Sequence, residues 1–515
     1  MDLKDQNEKL AYEEGHDADI STNIRAGTRH SDEEKGSITP NISVGTDPNE
    51  VWWDEPENMD PHNPMNWSSQ KKWGQIAVLS YVTLITPLAS SMFAPGVPDV
   101  IKDFGITNEL LATFVVSIYL LGFAFGPLVI APLSEIYGRY WLYNVCNVLF
   151  VVFAVACGLA KNMGQLVAFR FIHGIFGVCP LTIGGGTIAD MMPVEKRGGA
   201  MAIWAIGPLL GPVFGPVAGG YLVEAKGWRW SFWLLAILSG VGTVAGFFFS
   251  RETYAPVILE HKAARLRKET ANPDLRSRLA SDVPMKQVFL RAIVRPTKML
   301  FLSPIVTLTC MYVAVAYGIL YLLFTTFTFV FQENYGFSTG AVGLVFIPLG
   351  IGMMLSLGIM GTVTDKIIKG KQARGEEVVP EDRIPIWVIT PAACLLPVGL
   401  FIYGWTTQYK VHWIAPLIGT ACTGFALLVI FMSMQTYIVD AFTRYAASAI
   451  AANTVLRSLL GSLLPLCGLK MYNKLGLGWG NSLLGFLALA LVPIPLLFAI
   501  YGSWLRKNPR FQVKL

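Results

Sequence analysis

The chain has 515 residues, of which 53% are hydrophobic and only 15% charged, with a mean hydropathy of +0.49; soluble domains carry about 25% charged residues. Those values exclude a disordered scaffold, a collagen-like fibre, a disulfide-rich miniprotein and a basic nucleic-acid module. The net charge of +5 conceals a division, because the first 66 residues hold 16 of the 35 acidic side chains and five of the 40 basic ones, leaving a cationic body.

Residues 1–66 are polar and acidic and lack both apolar periodicity and the charged-then-apolar pattern of a signal peptide. They are expected to form a disordered acidic tail. From Trp73 onward, apolar runs long enough to cross about 30 Å of hydrocarbon recur between short polar breaks. They fall at about 74–94, 110–131, 142–160, 164–187, 200–222, 231–250, 300–329, 340–362, 384–405, 412–435, 446–468 and 481–504, twelve in all. The expected fold is therefore an all-α polytopic membrane protein, with one six-helix bundle over 67–250, a middle loop over 251–298, a second bundle over 299–505 and a tail over 506–515.

Twelve spans place both ends of the chain on one side. The loops on that side hold eleven Lys or Arg residues between Arg251 and Lys298, five between Lys366 and Arg383, and Arg139, Lys196, Arg197 and Arg444; the opposite loops hold seven in total. The positive-inside rule assigns the richer side, with both termini and the middle loop, to the cytoplasm. Within that loop Met285, Val288, Phe289, Ala292 and Ile293 recur at helical spacing, which predicts a short helix lying on the inner leaflet.

An internal repeat supports the six-plus-six division. Ala131 follows the second span with Glu135 four residues on, and Gly361 follows the eighth with Asp365 four residues on. A small residue and an acid at one offset in each half suit a duplicated transporter.

The fifth span carries Gly207, Gly211, Gly215 and Gly219 at steps of four, with Pro208, Pro212 and Pro216 directly after three of them and Gly220 closing the run. Steps of four leave one helix face bare, so a neighbouring helix can approach closely, while each proline removes a backbone hydrogen bond. The stretch GPLLGPVFGPVAGG resembles the antiporter motif of the major facilitator superfamily. PLSEIYGR at 132–139 is similar to that superfamily's loop motif between helices two and three, and LVAFRFIHG at 166–174 to its fourth-helix motif. NPMNW at 63–67, ADMMPVEKRG at 189–198 and ETYAP at 252–256 are similar to the fungal twelve-span drug:proton antiporters, a multidrug and toxin efflux group. The loop motif departs from its pattern at Ala131, Glu135, Ile136 and Tyr140-Trp141, and His173 stands where a glutamine is common.

The resemblance implies a latch made by Glu135, Gly138, Arg139 and Asp365, with Glu135 and Arg139 four residues apart at a helix end. Arg170 lies inside the fourth apolar run, where an arginine costs roughly 2.5–3.5 kcal/mol on insertion scales and so must face a cavity or a partner; it is a candidate for transport and proton coupling, with structural interhelical bonding as the alternative. His173, one turn on, has an unperturbed pKa near 6.5 and is a candidate proton carrier, with hydrogen-bonded packing as the alternative. Tyr317, Tyr321 and Phe324 share a face of the seventh span and, with Asn453 and Arg457 of the eleventh, are candidates to line a substrate cavity; helix packing is the alternative for each. No Asp or Glu falls mid-span, which favours neutral or weakly charged lipophilic substrates over polyamines.

No GxxxxGK[ST] or HExxH pattern occurs, so neither ATP hydrolysis nor another enzymatic activity is expected, and no cofactor or metal. The seven cysteines all sit in apolar runs and are expected to pack as small hydrophobes. The expected partners are a small lipophilic solute, protons and the lipid bilayer, with no nucleic acid and no obligate protein partner. The function expected is proton-coupled export of drugs, toxins or secondary metabolites. An uptake symporter or facilitator on the same fold and a non-transporting membrane receptor or scaffold are the alternatives. The resemblance places the chain in the plasma membrane, with the vacuolar membrane as alternative.

Overall fold

A computed structural model describes residues 49–106, 108–280 and 284–508. The tail up to residue 48 lies outside the described residues. In chain order the helices are α1 Ser69–Ser91, α2 Val97–Phe104, α3 Glu109–Tyr137, α4 Arg139–Gly158, α5 Met163–Gly177, α6 Cys179–Met191, α7 Val194–Lys226, α8 Arg229–Phe249 and α9 Ala255–Thr270. They continue as α10 Met285–Leu302, α11 Pro304–Tyr335, α12 Thr339–Leu344, α13 Phe346–Ala373, α14 Ile386–Gln408, α15 Ile414–Ala441, α16 Ala446–Leu463, α17 Gly468–Leu491 and α18 Pro493–Lys507. Two short strands, β1 Glu50–Val51 and β2 Arg276–Ser277, pair in parallel.

Local chemistry sets many of the boundaries. Ser68 caps α1 and Asn162 caps α5, each side chain accepting a hydrogen bond from the backbone N–H three residues on. Gly105 and Gly336 end α2 and α11 in the left-handed region, at φ 62° and 65°. The fourth span breaks after Gly177, where Pro180 follows at the start of α6.

Eleven continuous helical runs among the described residues are long and apolar enough to cross a membrane. The last, Ala446–Lys507, has 62 residues, about three times what one crossing needs. It breaks at Gly476 (φ 75°, ψ 168°). The Tyr472 hydroxyl hydrogen-bonds Asn481 Oδ1 at 2.9 Å, whereas nine residues of straight helix rise about 13 Å. The chain folds back there, which makes two crossings of the run and twelve of the whole.

Packing repeats between the halves. In the first, the first span packs on the fifth, the second on the fourth and the third on the sixth; in the second, the seventh packs on the eleventh, the eighth on the tenth and the ninth on the twelfth. The halves meet where α3 lies along α16 and where the end of α7 lies against α12 and the start of α13.

Two expectations for the ends of the first bundle need correction. The disordered segment expected over 1–66 is folded from residue 49: Trp53, Asp60 and Trp67 are buried, and β1 pairs with β2 beyond α9. Its acids are not all solvated, because Lys262 Nζ of α9 donates to Asp54 Oδ1 at 2.8 Å and to the Trp52 carbonyl at 2.7 Å. The middle loop holds two helices where the sequence leads one to expect a single one. α9 buries Leu259, Ala263 and Leu266 on one face, a stripe that its many charges mask in the sequence.

Candidate functional site

The third span begins at a tight turn. Gly138 has φ 87° and ψ 175°, and a Cβ there would strike the Glu252 carboxylate. That carboxylate accepts the backbone N–H of Arg139 at 2.9 Å and of Tyr140 at 3.0 Å, and also those of Thr253 and Tyr254, both at 2.9 Å. A carboxylate on the first free amides of a helix satisfies orphan donors and complements the helix dipole. The Arg139 side chain turns toward the end of the fourth span, where Nε meets Asp190 Oδ2 at 3.3 Å and Nη1 donates to Ser134 Oγ at 2.7 Å. Its guanidinium also lies 4.7 Å over the Tyr254 ring.

Of the residues expected to form a latch, Gly138 and Arg139 adjoin at this turn, but the ion-pair partner of Arg139 is Asp190 and not Glu135. From one helix end to the next the guanidinium reaches across to α6, so the four-residue spacing that suggests Glu135 does not decide the pairing. Asp365 stands exposed on α13. In the second half the matching pair is Arg383 with Asp440, at 2.6 Å. Asp440 ends the tenth span as Asp190 ends the fourth, and Arg383 precedes the ninth as Arg139 starts the third. Glu381 binds Arg506 at 3.0 Å beside it. In the sequence, Asp190 and Glu252 are visible only inside the ADMMPVEKRG and ETYAP motifs, without a role of their own.

Along α7 the glycine face meets α1 at backbone distance. A Cβ on Gly207 would come within 2.9 Å of Leu84 N, one on Gly211 within 2.9 Å of Leu88 N, and those on Gly215 and Gly219 would overlap Ser91 Oγ and the Met92 carbonyl. Gly220 looks the other way, where a Cβ would lie 2.7 Å from the Thr339 carbonyl of the opposite half. Pro208, Pro212 and Pro216 all lie inside this continuous helix, and the Pro216 carbonyl abuts Gly343 of α12. Near that contact Glu224 Oε2 accepts the Gly340 N–H at 2.8 Å.

Arg170 and His173 lie in the core of the first half, each with 0% exposure. The Arg170 guanidinium sits over Phe93 at 5.0 Å, Tyr119 at 5.3 Å and Phe232 at 5.7 Å, and Nη2 donates to the Val116 carbonyl at 3.4 Å. Cation–π contacts in a desolvated site offset part of the cost of burying a charge. The His173 ring lies 4.0 Å from the Phe150 ring and 5.4 Å from Tyr119, and neither of its nitrogens has a hydrogen-bond partner among the described residues.

The remaining candidates belong to the second half, and Tyr321 reaches from it to the first. Arg457 stacks on Tyr317 at 4.8 Å and on Phe431 of α15 at 5.2 Å, and is only partly buried. Asn453, one turn earlier, donates to Gln435 at 2.6 Å. Tyr321 exchanges a hydrogen bond with Ser90 of the first span at 3.0 Å, and Phe324 is buried between Tyr321 and Phe346. Tyr317 and Arg457 therefore form a polar-aromatic pair, while Tyr321 and Phe324 close the seam between the halves. Phe431 and Gln435 are not legible in the sequence, because they sit among apolar neighbours with no motif to mark them. All seven cysteines are unpaired; four are buried as expected, whereas Cys394 and Cys467 are exposed on the apolar helices.

Two matched bundles of six spans, each with an arginine–aspartate pair joining two of its own helix ends, define a membrane transporter of the twelve-span class. The chain belongs to the Major Facilitator Superfamily, whose family profile matches residues 79–465. It is 56% identical over 467 residues to the MFS-type transporter penM of Penicillium rubens, covering 91% of each chain. It is 55% identical to the efflux pump radE of Floropilus chiversii, covering 91% of this chain and 87% of that one. Among solved structures it is similar to a bacterial homologue of the human lysosomal transporter Spinster, at 13% identity and a TM-score of 0.61, covering 86% of this chain and 100% of that one. The xylose transporter XylE from E. coli matches at 15% identity and the same TM-score of 0.61, covering 84% and 98%. The superfamily is one of transporters, not of enzymes.

Proposed function

We propose that this transporter exports small lipophilic compounds, such as toxins or secondary metabolites, in exchange for protons, by alternating access between its two halves. The observation that carries the reading is α7: a helix whose one face has no side chains rides on the backbone of α1, while its far end meets α12 of the other half through Gly220 and Pro216. Such a joint can tilt with few side chains to disengage. The similarity to radE, an efflux pump, and the glycine-proline antiporter motif both favour export over uptake. An inward proton supplies about 1.4 kcal/mol per pH unit and about 2.3 kcal/mol per 100 mV, which together sustain a gradient of roughly 500-fold for a neutral solute. The plasma membrane is the proposed location, with both termini and the latch on the cytoplasmic side, as the basic loops direct.

The test is expression in a strain stripped of its own pumps, followed by a diverse toxin panel and transport into inside-out vesicles. Accumulation inside those vesicles that collapses with a protonophore is the expected result. Accumulation of the same compounds by right-side-out vesicles under an inward proton gradient would instead establish uptake.

A further inference from the structure

On the loop side, where the first span starts and the sixth ends, a cavity of about 460 Å³ opens between the folded N-terminal segment and α9. This is within the usual size of small-ligand pockets. Lys71, Arg251, Lys262 and Arg265 line it with two histidines, His62 and His261. One acid, Glu252, belongs to the same wall, but its two oxygens are turned to the four backbone amides that begin α4 and follow Glu252 itself. Lys262 is matched by Asp54 and Asp60. Lys71 and Arg251 share the wall of the cavity, where their like charges oppose each other; Arg251 Nη1 donates to the Ser250 carbonyl at 3.1 Å, and neither residue has an acid partner among the ion pairs of the described residues.

The walls are held in place. Gln75 donates to the Arg251 carbonyl at 3.0 Å and accepts its N–H at 3.3 Å, fixing the backbone there. The Lys71 ammonium lies 3.8 Å over the buried Trp67 ring. Asp60, 2% exposed, accepts the N–H groups of Asp54 and His62 and so shapes the segment that brings His62 to the rim. The cavity also sits at the level where hydrocarbon ends: Phe248 and Phe249, 71% and 67% exposed, immediately precede Ser250 and Arg251.

We propose that this pocket binds a phosphate-bearing anion, with Lys71 and Arg251 as its principal ligands, Lys262 and the two histidines as further donors, and Phe248 and Phe249 placed to lie beside the acyl chains when the anion is a lipid headgroup. Cation-to-phosphate hydrogen bonds are the strong, charge-assisted kind. The pocket is separate from the Arg457 cluster of the second half, and its occupancy is read by binding alone, without any transported solute.

The full-length protein in neutral phosphatidylcholine nanodiscs tests it. One arm adds phosphatidylinositol 4-phosphate to the disc and the other adds inorganic pyrophosphate to the buffer; both are followed by thermal stability and by titration at low and high salt. A saturable, salt-sensitive stabilisation is expected in at least one arm, and which arm responds identifies lipid or soluble phosphate as the source. Lys71→Gln and Arg251→Gln should each weaken it about tenfold, whereas Lys268→Gln, exposed on α9 and outside the pocket, should not. Melting without ligand reports whether each variant folds; should Arg251→Gln not fold, Lys71→Gln carries the test. Absence of stabilisation in both arms, or equal stabilisation of the wild type and Lys71→Gln, overturns the proposal.

Discussion

The carboxylate of Glu252, just past the sixth span, accepts the backbone N–H of Arg139 at 2.9 Å and so ties the start of the third span to the end of the sixth. Gly138 makes this approach feasible: its φ of 87° turns the chain, and its missing side chain leaves room for the carboxylate. Gly138→Ala should cost about 1–3 kcal/mol from the unfavourable φ alone, with the steric overlap added to that. Glu252→Gln keeps the shape and removes the charge, and should cost less. Melting temperatures of the two purified variants test the order; Glu252→Gln melting below Gly138→Ala would contradict it.

Arg139 pairs with Asp190, not with Glu135. The pair is largely shielded, with side chains 12% and 21% exposed, so it should be worth more than the roughly 0–1 kcal/mol of a surface pair. A double-mutant cycle with Arg139→Ala and Asp190→Asn is expected to show a coupling of about 1 kcal/mol or more in stability. The same cycle with Glu135→Gln should show near-additive effects. Equal coupling in both cycles would return Glu135 to the latch.

Glycines that look alike in the sequence should respond oppositely. Gly219→Val places a side chain into the Met92 carbonyl and Gly211→Val places one against Leu88, and both are expected to abolish folding or transport. A Cβ on Gly240 of α8 would meet open space, and Gly240→Ala should leave stability within about 0.5 kcal/mol. Fluorescence-detected size exclusion followed by transport on the folded variants measures both.

Arg170 and Arg457 are both intramembrane arginines, but they should fail differently. Truncating fully buried Arg170 removes the centre of a cluster formed by Phe93, Tyr119 and Phe232, and the resulting cavity is expected to cost about 2–5 kcal/mol. Arg170→Ala should therefore reduce the yield of folded protein. Arg457→Ala should accumulate normally and change which toxins the cell tolerates, because its guanidinium is partly open between Tyr317 and Phe431. Surface abundance alongside a toxin panel separates the two outcomes; an unchanged tolerance pattern for Arg457→Ala would remove it from the substrate path.

His173 is enclosed by Phe150 and Tyr119 with no hydrogen-bond partner at either nitrogen among the described residues. His173→Gln is expected to leave the pH dependence of transport unchanged. A displaced pH profile at equal abundance would show that the ring carries the proton.

The spans are legible in the sequence because burial in hydrocarbon demands about 20 apolar residues in a row, and nothing else in the chain meets that demand. The glycine face of α7 is equally legible, since steps of four state a helix face directly. Ion pairs are not. Arg139 and Asp190 are 51 residues apart, and a contact of that kind is set by how α4 and α6 pack, which periodicity does not encode. The repeated offset that draws attention to Asp365 is a trace of duplication, but the second half builds its arginine–aspartate pair further along, at Arg383 and Asp440. The segment from residue 49 to 66 reads as tail because its composition is acidic; Trp52 and Trp53 within it, and Trp67 just beyond, are the sign that part of it packs.

The pairing of β1 with β2 has a topological consequence. It splices the chain just ahead of the first crossing to the chain just beyond α9, so everything from Glu50 to Ser277 forms a loop fastened at both ends. Severing the polypeptide on the C-terminal side of Ser277 would free neither end of that ring. The two fragments, made separately in one cell, are expected to reassemble into a working molecule, whereas a cut between Thr270 and Arg276 would undo the clasp and leave the leading half frayed.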